Sequence, residues 1–236
     1  MHMCEIFFEK FNADGVAISP TGSLSLYASG KTTGLVLEIG DGVTFSMPVF
    51  KGYGIKTATF ELDMAGSELT TYLSNLLSAK GTTISDMAVV RDLKEKLATD
   101  SSFTLPDGSV LPINAELTKC SEALFNPSLI GKSCQGIHQL VSKSLDSVNP
   151  EIRKDMYSNL VVSGGSCFLP GLADRLKQTL AAPSSATVNI STNTSKHAAF
   201  YGGSILCCLS SFETSWIRKD EFEEIGSAIL EKKRLF

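Results

Sequence analysis

The 236-residue sequence has no block of like charge. Its 21 basic and 25 acidic residues are interspersed and sum to −4, which argues against a nucleic-acid-binding or membrane-binding surface. No uninterrupted apolar run approaches the length needed to span a bilayer. The opening stretch MHMCEIFFEK carries an acid early and no long apolar region, so it does not read as a secretory signal. The six cysteines, Cys4, Cys120, Cys134, Cys167, Cys207 and Cys208, form no C-x-x-C pair, and the three histidines form no H-E-x-x-H. Both absences argue against zinc, and the natural setting for such cysteines is reduced and intracellular. Asn189-Ile190-Ser191 and Asn193-Thr194-Ser195 match the glycosylation pattern, which carries little weight without a secretory signal. No internal repeat or low-complexity tract is present. The expectation is a soluble protein with no membrane partner and no direct nucleic-acid partner.

What is present is an alternation of helix and strand patterns, the mark of an α/β protein, on a chain long enough to bury a sizeable core. LVLEIGDGVT sets Asp41 between Gly40 and Gly42, flanked by apolar runs. That predicts a hairpin, with strands over residues 35–37 and 43–49 and a tight primed turn whose positive φ glycine tolerates. The same turn can instead aim its backbone N–H groups at a phosphate. SELTTYLSNLLSAKG puts Leu69, Tyr72, Leu73, Leu76 and Leu77 on one helical face, with Ser67 as cap and Gly81 at the end. SDMAVVRDLKEKL predicts a helix capped by Ser85, and FTLPDGSVLPI a hairpin around Asp107-Gly108. Asn149 and Pro150 open a helix in NPEIRKDMYSN, and the buried strand NLVVSGG follows. PGLADRLKQTLA, YGGSILCCLSSF and KDEFEEIG read as an amphipathic, an apolar and a short charged helix.

Three segments are candidate sites. SLYASGKTTG ends like a P-loop at Gly30-Lys31-Thr32, but Ser25 stands where the first glycine belongs. A P-loop also lies between strand and helix, so Lys31 is expected to be a solvated loop residue. SGGSCFLPG, residues 163–171, joins a buried strand to a helix; it is either a tight connection or a place where a ligand approaches the backbone. Arg91, Lys94 and Glu95 are spaced i, i+3 and i+4 and so share one helical face, which is either a solvated charged face or a ligand site.

LSLYASGKTTGLVLEIGDGVT, GYGI, LDMAGSELTTYL, VVRDLKEKL, LPDGSVLPI, EALFNPSLIGKSCQGIH, IRKDMYSNLVVSGGSCFLPGLADRL, YGGSILCCLSSF and WIRKDEF, in this order, strongly resemble the actin family over nearly the whole chain. The resemblance implies an α/β, ribonuclease H-like ATPase fold with the larger lobe largely complete and the smaller lobe truncated. It implies that residues 1–28 and 198–236 are a remnant of the smaller lobe (subdomain 1-like). Residues 29–64 and 133–197 would be the core of the larger lobe (subdomain 3-like), and 65–132 a shortened insert (subdomain 4-like). The implied ligand is ATP or ADP with Mg or Ca, weakly held. Gly40, Asp41, Gly42 and Val43 match the family's second phosphate loop. Gly66, Arg91, Lys94 and Glu95 match ribose and adenine positions, Ser163, Gly164, Gly165 and Ser166 the loop against the nucleotide, and Phe168 and Lys196 further adenine-side positions. The P-loop lookalike corresponds to a connecting turn.

Several departures bear on function. The family's first phosphate loop precedes the helix that resembles EIFFEKFN, where this sequence begins. A truncated smaller lobe would leave the nucleotide half open to water, which weakens phosphate contacts. The water-positioning glutamine expected near Ser19 to Thr21 is absent, and the expected histidine is Phe45. Glu38 stands for the aspartate that holds the cation's water shell, and ATDSSFT replaces a longer stretch of the second subdomain. The resemblance therefore implies an actin-related cytoskeletal or complex-forming protein with a partial ATP/Mg site and little or no hydrolysis. Its expected partners are actin or actin-binding and complex proteins, in the cytoplasm and cytoskeleton or else the nucleus. The alternative is a fragment of a two-lobed, ATP-hydrolysing, filament-forming actin. NPSLIGKSCQG matches the plug loop of actin filaments, but with the other contacts shortened this chain alone is expected not to polymerise.

Overall fold

The computed structural model describes residues 2–97, 103–104, 108, 110–111, 115–180, 186–226 and 228–233. In chain order the strands are β1 (Gly15–Val16), β2 (Gly34–Ile39), β3 (Thr44–Phe50), β4 (Tyr53–Gly54), β5 (Phe60–Leu62), β6 (Phe103–Thr104), β7 (Val110–Leu111), β8 (Leu160–Ser163), β9 (Ile190–Thr192) and β10 (Ile217–Arg218). The helices are α1 (His2–Glu5), α2 (Thr21–Ala28), α3 (Gly66–Ala79), α4 (Met87–Leu97), α5 (Ala115–Phe125), α6 (Ile137–Asp146), α7 (Pro150–Ser158), α8 (Leu172–Thr179), α9 (Ala198–Cys207), α10 (Lys219–Ile225) and α11 (Ala228–Lys232).

β2 and β8 are apolar at nearly every position because they are buried on both faces of the central sheet, whose order is β4-β3-β2-β8-β9 with β5 added beside β3. β2 pairs antiparallel with β3 and parallel with β8, and β8 pairs parallel with β9. Alternate side chains separate two cores, as the two-residue strand period requires. Leu35, Leu37, Ile39, Leu160 and Val162 join the larger cluster with α3, α5, α6 and α8, while Val36 and Val161 face Leu26, Met47 and Val49 on the α2 side. α2 and α9 cross in backbone contact: a Cβ at Gly202 would lie 1.7 Å from the Leu24 carbonyl oxygen. Near the ends of the described chain, β1 pairs with β10, and Cys4, Phe8, Ile217 and Ile229 form a small separate cluster.

Three local details correct the sequence reading. The β2–β3 connection is a four-residue loop, Gly40 to Val43, and none of its residues has positive φ, so it is not the primed two-residue turn. The N-cap of α3 is Ala65, whose N–H donates to the Glu68 carboxylate at 3.0 Å; Ser67 is already helical. α4 is capped by Asp86, which accepts from the Ala88 N–H at 2.8 Å, and not by Ser85. Other local readings hold. Asn149 accepts from the Glu151 N–H at 3.0 Å ahead of Pro150, and Gly81 follows the end of α3. Leu69, Leu73 and Leu77 are buried, with Tyr72 and Leu76 packed beside them. β6 and β7 pair as the expected hairpin, although Asp107 and residues 98–102 of ATDSSFT lie outside the described residues.

Candidate functional site

The P-loop lookalike is the end of α2: the Gly30 N–H donates to the Tyr27 carbonyl (2.9 Å) and the Lys31 N–H to the Leu26 carbonyl (3.2 Å). This closes a helix C-terminus before β2, which is the reverse of the strand-to-helix order of a P-loop. Lys31 is half-buried and its ammonium donates to the Ser191 hydroxyl at 3.3 Å, so it is not the solvated residue expected.

The other two segments converge with the hairpin tip. The Gly66 N–H donates to the Gly40 carbonyl at 2.9 Å and the Ser67 N–H to the Asp41 carbonyl at 2.8 Å, so the first turn of α3 holds the tip from one side. The Ser166 hydroxyl also donates to the Gly40 carbonyl, at 3.4 Å. In a trans peptide the carbonyl and the following N–H point in opposite directions. With the carbonyls of Gly40 and Asp41 turned toward α3, the N–H groups of Asp41 and Gly42 point away from it, and neither has an acceptor among the described residues. Two successive N–H groups that face one way can form a nest for an anion. A Cβ at Gly42 or Gly165 would meet no atom within 4 Å, and neither residue has positive φ. Glycine at both positions answers neither to packing nor to backbone strain.

Beside this tip lies a cleft of about 500 Å3 between α4, the 165–168 turn and the segment after β9, lined by Asp92, Glu95, Lys96, Gly165, Phe168, Thr194, Ser195 and Lys196. Glu95 and Lys196 pair across its rim at 2.8 Å. The hydrogen bond from Lys196 holds the Glu95 carboxyl below its usual pKa despite partial burial. Lys94, by contrast, is only 4% exposed, which overturns the reading of 91–95 as a simple solvated face. Its ammonium donates to the Gly66 carbonyl (2.6 Å) and the Thr70 hydroxyl (2.9 Å). Burial lowers its pKa, against the opposing pull of Asp41 and Glu95. Arg91 is exposed on α4 and does not line the cleft.

Within 163–166, only Gly165 opens on the cleft. Ser163 is buried with its hydroxyl on Ser25 (3.1 Å), and Gly164 presses on β2. Ser25 in turn donates to Glu38 at 3.1 Å, and its carbonyl accepts from the Asn193 amide at 3.1 Å. Burial raises the Glu38 pKa, opposed by hydrogen bonds from Thr21 and Ser25. Among the described residues no group of three or more His, Cys, Asp or Glu side chains could hold a metal ion.

A family model described as Actin matches residues 1–100 and 82–235. The chain belongs to the actin family. The two matched stretches together cover nearly the whole chain, and the mixed sheet with helices on both faces fits an actin-like fold. In this actin-family chain, sequence reasoning missed Thr70, Ser25 and Asn193 as partners of Lys94 and Ser163–Glu38. It also missed Asp92, Thr194 and Ser195 in the cleft. Their only signal was proximity in sequence to residues already singled out: Thr194 and Ser195 directly precede Lys196, and Asp92 follows Arg91.

Proposed function

We propose that this actin-family protein holds ATP or ADP without turning it over and acts through protein partners. The observation that carries this reading is the pair of unpartnered N–H groups on Asp41 and Gly42, locked outward by the first turn of α3. They would donate to phosphate oxygens, with room at Gly42 for close approach. Phe168, Glu95 and Lys196 would line the base and ribose in the adjoining cleft, and Lys94 would hold the Gly66 carbonyl. A bound Mg or Ca ion would supply positive charge against the phosphates, with Glu38 the nearest sequence match for its water shell.

The environment around Phe45 supports the absence of hydrolysis. Phe45 packs against the cluster of Leu26, Val36, Met47, Val49 and Val161, and a pocket of about 330 Å3 lined by Pro20, Thr21, Phe45, Met47, Gly54, Lys56 and Thr59 is almost wholly apolar. None of the described residues that line it carries an imidazole or a side-chain amide to orient a water or accept its proton. Partner binding is supported by apolar side chains left exposed: Met3, Ile6, Phe7 and Phe11 near the start, and Phe200, Tyr201, Ile205 and Leu209 along and beyond α9. Actin itself, or actin-binding and complex-forming proteins of the cytoplasm and cytoskeleton, are the partner class, with the nucleus as the second location.

Equilibrium dialysis with Mg-ATP, followed by phosphate release on the same sample, tests the reading. Saturable binding with no release above the protein-free blank is expected. No saturation at millimolar nucleotide removes the nucleotide part, and steady release removes the claim that turnover is lost.

A further inference from the structure

Lys132 lies outside the site just described, at the end of an exposed loop. Residues Pro127–Ile130 form a 3-10 turn, and Gly131 follows in the left-handed region at φ 74. That conformation, open to glycine at little cost, reverses the chain and sends Lys132 back toward the start of α3. Its ammonium donates to the Asp63 carbonyl and, at 3.2 Å, to the Glu68 carboxylate. The other oxygen of Glu68 accepts the Ala65 N–H at 3.0 Å and the Ser67 hydroxyl at 3.0 Å. Burial raises the Glu68 pKa, but hydrogen bonds from the Ala65 and Glu68 N–H groups, Lys132 and Ser67 outweigh it and the net shift is downward, so the carboxylate stays charged.

Residues 63–68 are thus gripped from two sides. Lys132 and Glu68 fix one side, and the Gly66 and Ser67 N–H groups fix the hairpin tip on the other. Any tilt of this segment would rotate the Gly40–Asp41 and Asp41–Gly42 peptides and turn their N–H groups off a common target. We infer that Lys132 is a positioning residue for the anion nest, and that occupancy of the nest and closure of the 127–132 loop favour each other through Asp63 and Glu68. This rests on the nucleotide reading above. Because coupling is reciprocal, loosening the loop weakens binding by the factor by which binding tightens the loop.

The test measures Mg-ATP affinity together with amide hydrogen exchange at Leu129, Gly131 and Lys132, whose N–H groups donate to the Asn126, Ser128 and Pro127 carbonyls. In the natural chain, saturating Mg-ATP is expected to slow exchange of these amides. Lys132→Met is expected to weaken Mg-ATP binding by about fivefold or more, the low end of typical coupling, and to abolish the nucleotide-dependent slowing. Lys132→Arg restores both, because its guanidinium can reach the same oxygens. Should Lys132→Met fail to fold, Glu68→Gln serves, since its amide oxygen still caps Ala65 while the charge pair is lost. If the variants bind Mg-ATP as the natural chain does and slow their loop amides equally, the positioning role is overturned and the nucleotide reading stands. If the natural chain binds no Mg-ATP, both fall together.

Discussion

Gly164 and Gly165 are neighbours with different reasons to be glycine. Gly164 sits at φ 89, and a Cβ there would lie 2.2 Å from the Ile39 carbonyl oxygen, whereas a Cβ at Gly165 would touch nothing within 4 Å. Gly164→Ala should therefore cost about 2 kcal/mol or more in urea unfolding. Gly165→Ala should leave stability within about 0.5 kcal/mol and yet weaken Mg-ATP binding; unchanged binding would detach the cleft from the nucleotide. Thiols offer a second contrast. Burial pushes Cys120 and Cys167 up to about 12 and also raises Cys4, while Cys207 and Cys208 are exposed. Mass spectrometry after brief alkylation at pH 8 should find Cys207 and Cys208 modified and the three buried thiols protected until the chain unfolds. Acid provides the third. The folded pKa values of Glu68 and Glu95 are lowered, so their contribution is present above the unfolded carboxyl value of about 4.3 and is lost as pH falls through the lower folded values. Glu95→Gln should flatten the decline of stability between mildly acidic and strongly acidic urea titrations.

Among the elements, α7 shows how much can be read directly. Asn149 and Pro150 place its start, and Asn149→Ala should lower stability by about 1 kcal/mol through the lost bond to the Glu151 N–H. A thermal or urea melt of the variant checks this. The starts of α3 and α4 were less legible because several candidate caps stand side by side in each. In MAGSE the cap position went to Ala65, since Gly66 and Ser67 were drawn into the helix to meet the hairpin tip. In SDM, Asp86 reaches the Ala88 N–H and Ser85 is one residue too early. The hairpin itself was visible in the apolar runs on either side of Gly40-Asp41-Gly42. Its turn type was not, because the hydrogen bonds from α3 that shape the tip come from residues more than twenty positions away.

For the whole molecule, the larger core binds β2, β5 and β8 to α3, α5 and α6, whereas the cluster of Cys4, Phe8, Ile217 and Ile229 stands apart. Small clusters open at lower free energy than the main core. Native-state hydrogen exchange should accordingly find β1 and β10 opening well below the free energy that exposes β2 and β8; equal protection throughout would show one cooperative unit. The expectation that this chain alone does not polymerise belongs to this scale too. Sedimentation in Mg-ATP and salt should leave the purified chain in the supernatant, and salt-dependent pelleting would contradict that.

The sequence by itself determined the β2–β3 hairpin, the helices α3, α4 and α7, the burial of β8, and membership of the actin family, because these are written in local periodicity and in the order of many segments. It also marked Gly40-Asp41-Gly42 and Gly165. Only the tertiary structure decided which way the peptides at the tip face, that Lys94 is buried, and that Lys132 reaches Asp63 and Glu68. Each of those is a hydrogen bond between residues distant in sequence, and no local pattern encodes where a buried donor finds its acceptor.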